Sequence, residues 1–461
     1  MLNLILRSMV ILLLIANIAC SQNKKSEQIY KTFCATCHGD DMQGGNSSSL
    51  IDGEWGFGAD KRAIANNIKF GIEKYGMPAF GDAITDEEIA DLLNYLMDEK
   101  GSGSNSKIVF EKQIETFDYK VNIEIILENL EDPWGIAFIN PVKALITEKS
   151  GSLRIIENDE LLSEPVSGIP EVFNFGQGGL LDVAVDPNYE KNGWVYLSFS
   201  HEIDDKGMTK IIRGKIVDNK WKNEEVLFQA PSNTYVDAKY HFGSRIVFDK
   251  KGHLYFSIGD RGQKNDAQNL FKPNGKIHRI FTDGQIPSDN PFVNTEDGIP
   301  SIFAYGSRNS QGLAIDPETD LLWSTEHGQK GGDELNIIRS GKNYGWATVT
   351  YGRNYNGSVS TEETKLPGME IPILFWRPSP AVCGLDFYSG DLFPKWKGHL
   401  LVGALKFEDV KILDIEEGRV IHQETLIKDM GRVRDVTMSP DGSIYIILTD
   451  PGKLLRLTPE N

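Results

Sequence analysis

Apolar residues fall into two textures along this chain. Near the N-terminus they recur at helical spacing. Ile89, Leu92, Leu93 and Leu96 follow Thr85-Asp-Glu-Glu88, a capping-box pattern that starts a helix. A second helix is predicted over 26–33. From about Lys107 the long helical period vanishes. Short apolar runs now alternate with Gly, Asp, Asn and Pro turns, which predicts strands. One phrase recurs six times, at Trp134-Gly-Ile-Ala-Phe, Gly179-Leu-Leu-Asp-Val-Ala-Val, Ser244-Arg-Ile-Val-Phe, Gly312-Leu-Ala-Ile, Gly384-Leu-Asp-Phe and Arg434-Asp-Val-Thr-Met. Most copies lead into a turn (Asp186-Pro-Asn, Asp249-Lys-Lys-Gly, Asp316-Pro-Glu, Ser439-Pro-Asp-Gly) and a second strand, over 194–199, 253–258, 321–325, 399–402 and 443–448. A repeated strand–turn–strand core with two further strands predicts a six-bladed β-propeller. The fold class is therefore an all-β six-bladed β-propeller behind a small all-α N-terminal domain.

At 461 residues the chain has room for two or three domains, and 40% hydrophobic with 25% charged residues marks it as globular. The formal charge of -18 excludes a global basic footprint, so nucleic acid is not the expected partner. Any anion site must be a local basic pocket. The apolar run 9–19, behind Arg7, is short for a membrane span and predicts an export signal over 1–20. Ala19-Cys20 resembles a lipoprotein cleavage site. Cys20 would become the lipidated first residue, anchoring a periplasmic or cell-envelope protein through a polar tether, 21–25. A plain signal peptide and an uncleaved anchor are the other readings.

Four cysteines are present, Cys20, Cys34, Cys37 and Cys383, and no structural disulfide is expected. Cys34-Ala-Thr-Cys37-His38 is the haem c attachment signature: two thiols tether the porphyrin and the adjacent imidazole takes the iron. The other readings, a redox pair or half a zinc site, lack a second Cys or His pair. Met77, in Gly76-Met77-Pro78, is the candidate second axial ligand, since a thioether raises the potential. A buried apolar filler is the alternative. The stretch 26–100 resembles a small class I cytochrome c. A Gly/Ser linker follows over 101–106, and 107–461 is the propeller.

The first strand of a propeller blade lines the axis, so residues just before it share one rim. Gln177, His241, Arg308, Asn309, Arg432 and Arg434 all precede or open a first strand, and Lys406 belongs with them. A base among cations points to an anionic ligand and a proton to be removed. Arg432-Val-Arg434 puts both guanidiniums on one strand face. A satisfied rim histidine, solvated arginines and a turn glutamine are the plainer readings.

The stretches Gln177-Gly-Gly-Leu-Leu, His241-Phe-Gly-Ser-Arg, Ile258-Gly-Asp-Arg-Gly, Ser307-Arg-Asn-Ser-Gln-Gly-Leu-Ala, Glu326-His-Gly-Gln-Lys-Gly-Gly-Asp-Glu-Leu-Asn, Asn343-Tyr-Gly-Trp346, Leu405-Lys406 and Arg432-Val-Arg434-Asp resemble the soluble pyrroloquinoline quinone (PQQ)-dependent glucose and aldose sugar dehydrogenases. The resemblance implies an oxidoreductase that moves hydride from an aldose, or a related alcohol or aldehyde, to PQQ. His241 would be the base and Arg308 the cation at the quinone oxygens, with Asn309. Lys406, Arg432 and Arg434 would clamp the cofactor carboxylates, and Gln177 would touch cofactor or substrate. It also implies a calcium ion held by the Gly328 and Gln329 carbonyls and a structural calcium at Glu334 and the Tyr344 carbonyl, where a bland turn is the alternative. Gln329 and Ser310 replace prolines, and Tyr240 replaces an acid ahead of the base. Electrons would pass to the haem and on to a respiratory acceptor. Two other functions compete: a calcium-dependent lactonase on a propeller, and a non-enzymatic interaction propeller.

Overall fold

The structure is a computed structural model that describes residues 25–38, 42, 50, 61–72, 77–81, 83–102 and 110–460. The expected export signal with Cys20, most of the tether, Gly76 and linker residues 103–106 lie outside them. The chain divides into two compact units, one of residues 1–107 with 354–358 and a larger one of 108–353 with 359–461.

The first unit is helical. Helix α1 covers 25–33, α2 Ala35–His38, α3 Lys61–Phe70 and α4 Asp86–Ser102. The capping box forms: Glu88 N–H donates to Thr85 Oγ1 at 3.3 Å while Thr85 N–H donates to Glu88 Oε2 at 3.0 Å. Helix α4 runs two residues into the expected linker, through Gly101 and Ser102. Glycine and serine weaken a helix, but only proline removes the N–H that the ladder needs. Ile64, Ile68, Ile89, Leu92, Leu93 and Leu96 form the core, and Cys34 and Met77 pack against it.

The second unit is all strand in architecture. Two N-terminal strands, β1 (Gln113–Glu115) and β2 (Lys120–Leu127), precede the blades. The first blade is β3–β6 (Pro133–Asn140, Lys143–Glu148, Ser152–Glu157, Glu160–Leu161). The second is β7–β10 (Leu180–Val185, Trp194–Ile203, Lys206–Val217, Lys220–Gln229). The third is β11–β14 (Ile246–Phe248, His253–Ile258, Lys276–Phe281, Ile302–Tyr305). The fourth is β15–β18 (Ser310–Ile315, Leu322–Glu326, Asp333–Ile338, Leu374–Trp376). The fifth is β19–β22 (Val382–Phe387, Leu400–Ala404, Asp409–Glu416, Arg419–Lys428). In the sixth, β23–β25 (Arg432–Met438, Ile444–Asp450, Lys453–Pro459) are joined by β2 and β1.

Strands β3, β7, β11, β15, β19 and β23 each touch the next, and β23 touches β3. They form a closed ring, so the six repeated phrases are the six axial strands. Closure comes from opposite ends of the chain, with Val121 on β2 paired to Pro459 on β25. An apolar cluster fills each seam between adjacent blades.

Hydroxyls stitch the ring along its inner wall. Thr147, Ser198, Ser257 and Thr325, on the second strands of four successive blades, donate to the carbonyls of Leu181, Ser244, Ser310 and Cys383 on the next blade, at 2.5, 2.5, 2.9 and 2.6 Å. In the fifth blade Gly403 takes this position and Cys383 Sγ donates to Val433 O at 2.8 Å. Lower on the axis, Arg245 lies 4.4 Å over Trp134 and pairs with Asp182 at 3.1 Å and Asp435 at 2.9 Å.

Candidate active site

The first two strands of each blade are antiparallel, so the start of one and the end of the other meet at one rim. The strand starts bring Gln177, His241, Arg308, Asn309, Arg432 and Arg434. The strand ends bring Asp260 and Arg261 after β12, His327 to Gln329 after β16, and Lys406 after β20. Reading only the starts therefore misses Asp260, Arg261 and His327. Each lies within three residues of the close of a second strand, a place that marks a rim residue only once the blade geometry is known.

His241 sits at φ +62°, in the left-handed region that few bulky residues occupy. Its backbone N–H donates to Gln177 Oε1 at 2.9 Å, so Gln177 holds the backbone of this turn. His241 Nδ1 is 2.6 Å from Asp260 Oδ1. Asp260 is itself held: Trp346 Nε1 donates to Oδ2 at 2.7 Å, and Gly262 N–H to Oδ1 at 2.8 Å. Burial opposes charge on Asp260, but His241, Arg308 and the Gly262 N–H outweigh it and hold the carboxyl down at about 2. Trp346 stood in a quoted phrase without a role; it orients this pair.

Arg308 is buried. Its Nη1 donates to His327 O at 3.1 Å and Gly328 O at 2.6 Å, and its backbone N–H donates to Glu326 Oε1 at 2.5 Å. Asn309 Oδ1 accepts the Gly243 N–H at 3.0 Å. Arg434 Nη1 donates to Gln311 Oε1 at 2.9 Å. Burial lowers the Arg434 pKa, Cys383 and Asp132 oppose that, and Arg432 and Arg245 add to it. Val433 is fully buried between half-buried Arg432 and Arg434, as alternation requires, although bulges break the ladder on both sides of Val433. Lys406 is exposed. His327 is kept neutral: burial, then Arg434, Arg308 and His241, lower its pKa well below the usual histidine value. It is thus the residue that senses all three of the others. Arg245, quoted in the His241 phrase, belongs to the axis below the rim.

The donor set fits an anionic ligand. Buried polar atoms without hydrogen-bond partners include His327 Nε2, Arg434 Nε and Ser310 Oγ, all at this rim. The proposed calcium carbonyls both accept bonds already, Gly328 from Arg308 and Gln329 from Ser379 Oγ at 2.7 Å. Glu334 pairs in register with Glu326, which sequence reading passed over. Burial, then repulsion by Glu334, pushes Glu326 up to about 8. Burial, against an Asn336 hydrogen bond and with Asp333 adding, pushes Glu334 up to about 7. Tyr344 is close enough for its phenol to feel Glu326, while its hydroxyl donates to Ile337 O at 2.6 Å. Buried Glu326 and half-buried Glu334, paired across two strands, suit a hard cation. Among the described residues no cluster of three or more His, Cys, Asp or Glu side chains could hold a metal ion.

In the helical unit, His38 N–H and Cys37 N–H donate to Cys34 O at 2.9 and 3.1 Å, so one turn carries all three attachment residues. Burial, then Cys37, raises the Cys34 thiol to about 11. Met77 bridges to Ile72 across Gly71, where φ is +71° and a Cβ would meet Met77 O at 2.7 Å. That close approach requires glycine.

The glucose/sorbosone dehydrogenase profile matches residues 130–456, the blades with their rim. The chain belongs to the glucose/sorbosone dehydrogenase family. Residues 21–96 match the cbb3-type cytochrome c oxidase subunit III family, so a cytochrome c domain precedes the dehydrogenase. The chain is 40% identical over 350 residues to aldose sugar dehydrogenase YliI of Escherichia coli K12, covering 74% of this chain and 94% of that one. It is 29% identical over 425 residues to quinoprotein glucose dehydrogenase B of Acinetobacter calcoaceticus, covering 73% and 86%. The crystal structure of the soluble aldose sugar dehydrogenase of E. coli in its apo form superposes with a TM-score of 0.70 at 38% identity, covering 74% of this chain and all 100% of that one. The protein is an oxidoreductase, a sugar dehydrogenase propeller with a cytochrome c domain.

Proposed function

We propose that this glucose/sorbosone dehydrogenase family member oxidises an aldose sugar, or a related alcohol or aldehyde, with PQQ as first electron acceptor, and passes the electrons to its own haem c and then to a respiratory acceptor. The observation that carries the reading is the His241–Asp260–Trp346 chain beside Arg308 and Arg434. PQQ, when bound, supplies a two-electron acceptor for the substrate's hydride. Asp260 on Nδ1 fixes Nε2 as the basic nitrogen of His241, which takes the substrate hydroxyl proton. Arg308 would hold the quinone end of the cofactor and favour negative charge there, with Asn309 beside it. Arg432, Arg434 and exposed Lys406 would grip carboxylates at the rim. Gln177 fixes the base's backbone through its Oε1, and its amide would also touch cofactor or substrate. Calcium would be shared between the Gly328 and Gln329 carbonyls, in competition with Arg308 and Ser379, and a second ion would sit at Glu334, Glu326 and the Tyr344 carbonyl. Cys34 and Cys37 would tether the haem, with His38 and Met77 on the iron. A lipid on Cys20 would hold the protein at the cell envelope.

The test is to add PQQ and calcium to the haem-loaded protein and present a panel of aldoses and alcohols. Haem reduction that requires PQQ supports the reading. Lactone hydrolysis without quinone-dependent oxidation would replace it with the lactonase reading.

A further inference from the structure

Asp260 is followed by Arg261, a fully buried arginine whose two Nη groups both donate to backbone carbonyls while its buried Nε has no hydrogen-bond partner. Its Nη1 donates to Tyr240 O, and its Nη2 to Ala238 O at 2.6 Å and Gly207 O at 3.3 Å. Its guanidinium lies 3.4 Å from the centre of the Phe242 ring. Tyr240 and Phe242 are the residues on either side of His241. The next residue, Gly262, backs the Tyr240 ring: a Cβ there would stand 2.9 Å from Tyr240 Cε2. Three consecutive residues thus grip the base's turn, Asp260 on the imidazole, Arg261 on the flanking backbone and Gly262 under the neighbouring ring. Gly207 lies at the start of β9, paired with Glu202 of β8, so the same guanidinium ties that hairpin to the base's turn.

A buried cation is costly unless its donors are satisfied. Here Nη1 and Nη2 are satisfied by the Tyr240 and Ala238 carbonyls, in a segment whose His241 and Ser244 both hold positive φ, +62° and +85°. A backbone in that region persists only when its surroundings over-determine it. A guanidinium fork suits several carbonyls at once, and an ammonium reaches fewer.

The geometry points to Arg261 as a positioning residue for His241: by clamping the Tyr240 and Ala238 carbonyls and stacking on Phe242, it fixes the left-handed turn that aims the imidazole. This rests on the reading of His241 as the base, yet its effect on the imidazole is measurable without catalysis. Arg261→Gln and Arg261→Lys are compared with wild type in full-length, haem-loaded protein. Steady-state oxidation is measured with PQQ and calcium. Separately, spectra of 15N-histidine-labelled protein without PQQ follow the His241 side-chain resonance, assigned by its loss in His241→Asn. Arg261→Gln is expected to lower kcat at least tenfold with KM within about threefold, to shift the His241 resonance, and to regain part of kcat with a few millimolar guanidinium. Arg261→Lys should fall between it and wild type in both readouts. An unchanged His241 resonance in a folded Arg261→Lys protein would overturn the proposal, as would kcat near wild type in Arg261→Gln. If wild type shows no quinone-dependent oxidation, the base assignment fails, while the resonance still decides whether Arg261 sets the imidazole.

Discussion

The base site turns on residues that touch His241, not on His241 alone. General-base catalysis contributes roughly 10²–10⁴-fold, so His241→Ala should lose that much kcat/KM in a PQQ- and calcium-supplemented assay. Asp260→Asn keeps the shape but not the charge. It should cost about 10–100-fold in kcat with little change in KM. Asp260 also links the site to stability. Its carboxyl is held at about 2 against the ordinary 3.8, despite burial. A depressed acid stabilises the fold above its unfolded pKa and loses that contribution as pH falls through its folded one. The charge-dependent part of that stabilisation should therefore be lost between pH 4 and pH 2, narrowing the stability gap between wild type and Asp260→Asn in denaturant titrations. His241, Arg308, Asn309, Arg432 and Arg434 were legible because they share one phase of the repeat. Asp260 and His327 were not, because strand ends carry no apolar period and single polar residues there look like turn chemistry. Glu326 was hidden for a related reason: it closes a fully buried strand, where an acid reads as the first residue of the turn.

At the scale of elements, the six axial strands and most second strands could be read directly, because each pairs a short apolar run with a turn. Hydroxyl stitching could not. Thr147, Ser198, Ser257 and Thr325 resemble ordinary strand residues until the neighbouring blade is present to receive their bonds. Thr147→Val should leave the Leu181 carbonyl without this donor and cost about 1–3 kcal/mol, read as a lowered urea midpoint with unchanged m-value. The closure of the sixth blade was also illegible, since β1 and β2 lack the repeated phrase and their partner β25 lies at the far end of the chain. Deleting 453–460 removes β25 and leaves β2 without its neighbour. The expected result is loss of the whole propeller's far-ultraviolet strand signal, not of one blade. In the helical unit the capping box was legible from four residues, while the end of α4 was not, because no proline marks it.

For the molecule as a whole, the cytochrome c domain lies on the same chain as the dehydrogenase, and on the proposed reading its haem would be a second redox centre. A thioether ligand raises haem potential. Met77→Ala should lower the midpoint measured by potentiometric titration and slow haem reduction by substrate, while reduction of an added dye by the propeller stays near wild type. The measurement that bears most directly on the account is anaerobic stopped-flow mixing of PQQ- and calcium-loaded protein with an aldose, with the haem band as readout. The account predicts haem reduction that requires PQQ, remains first-order at increasing protein concentration, and disappears in His241→Ala. Haem that stays oxidised while the sugar is consumed, or reduction at the same rate without PQQ, would contradict it.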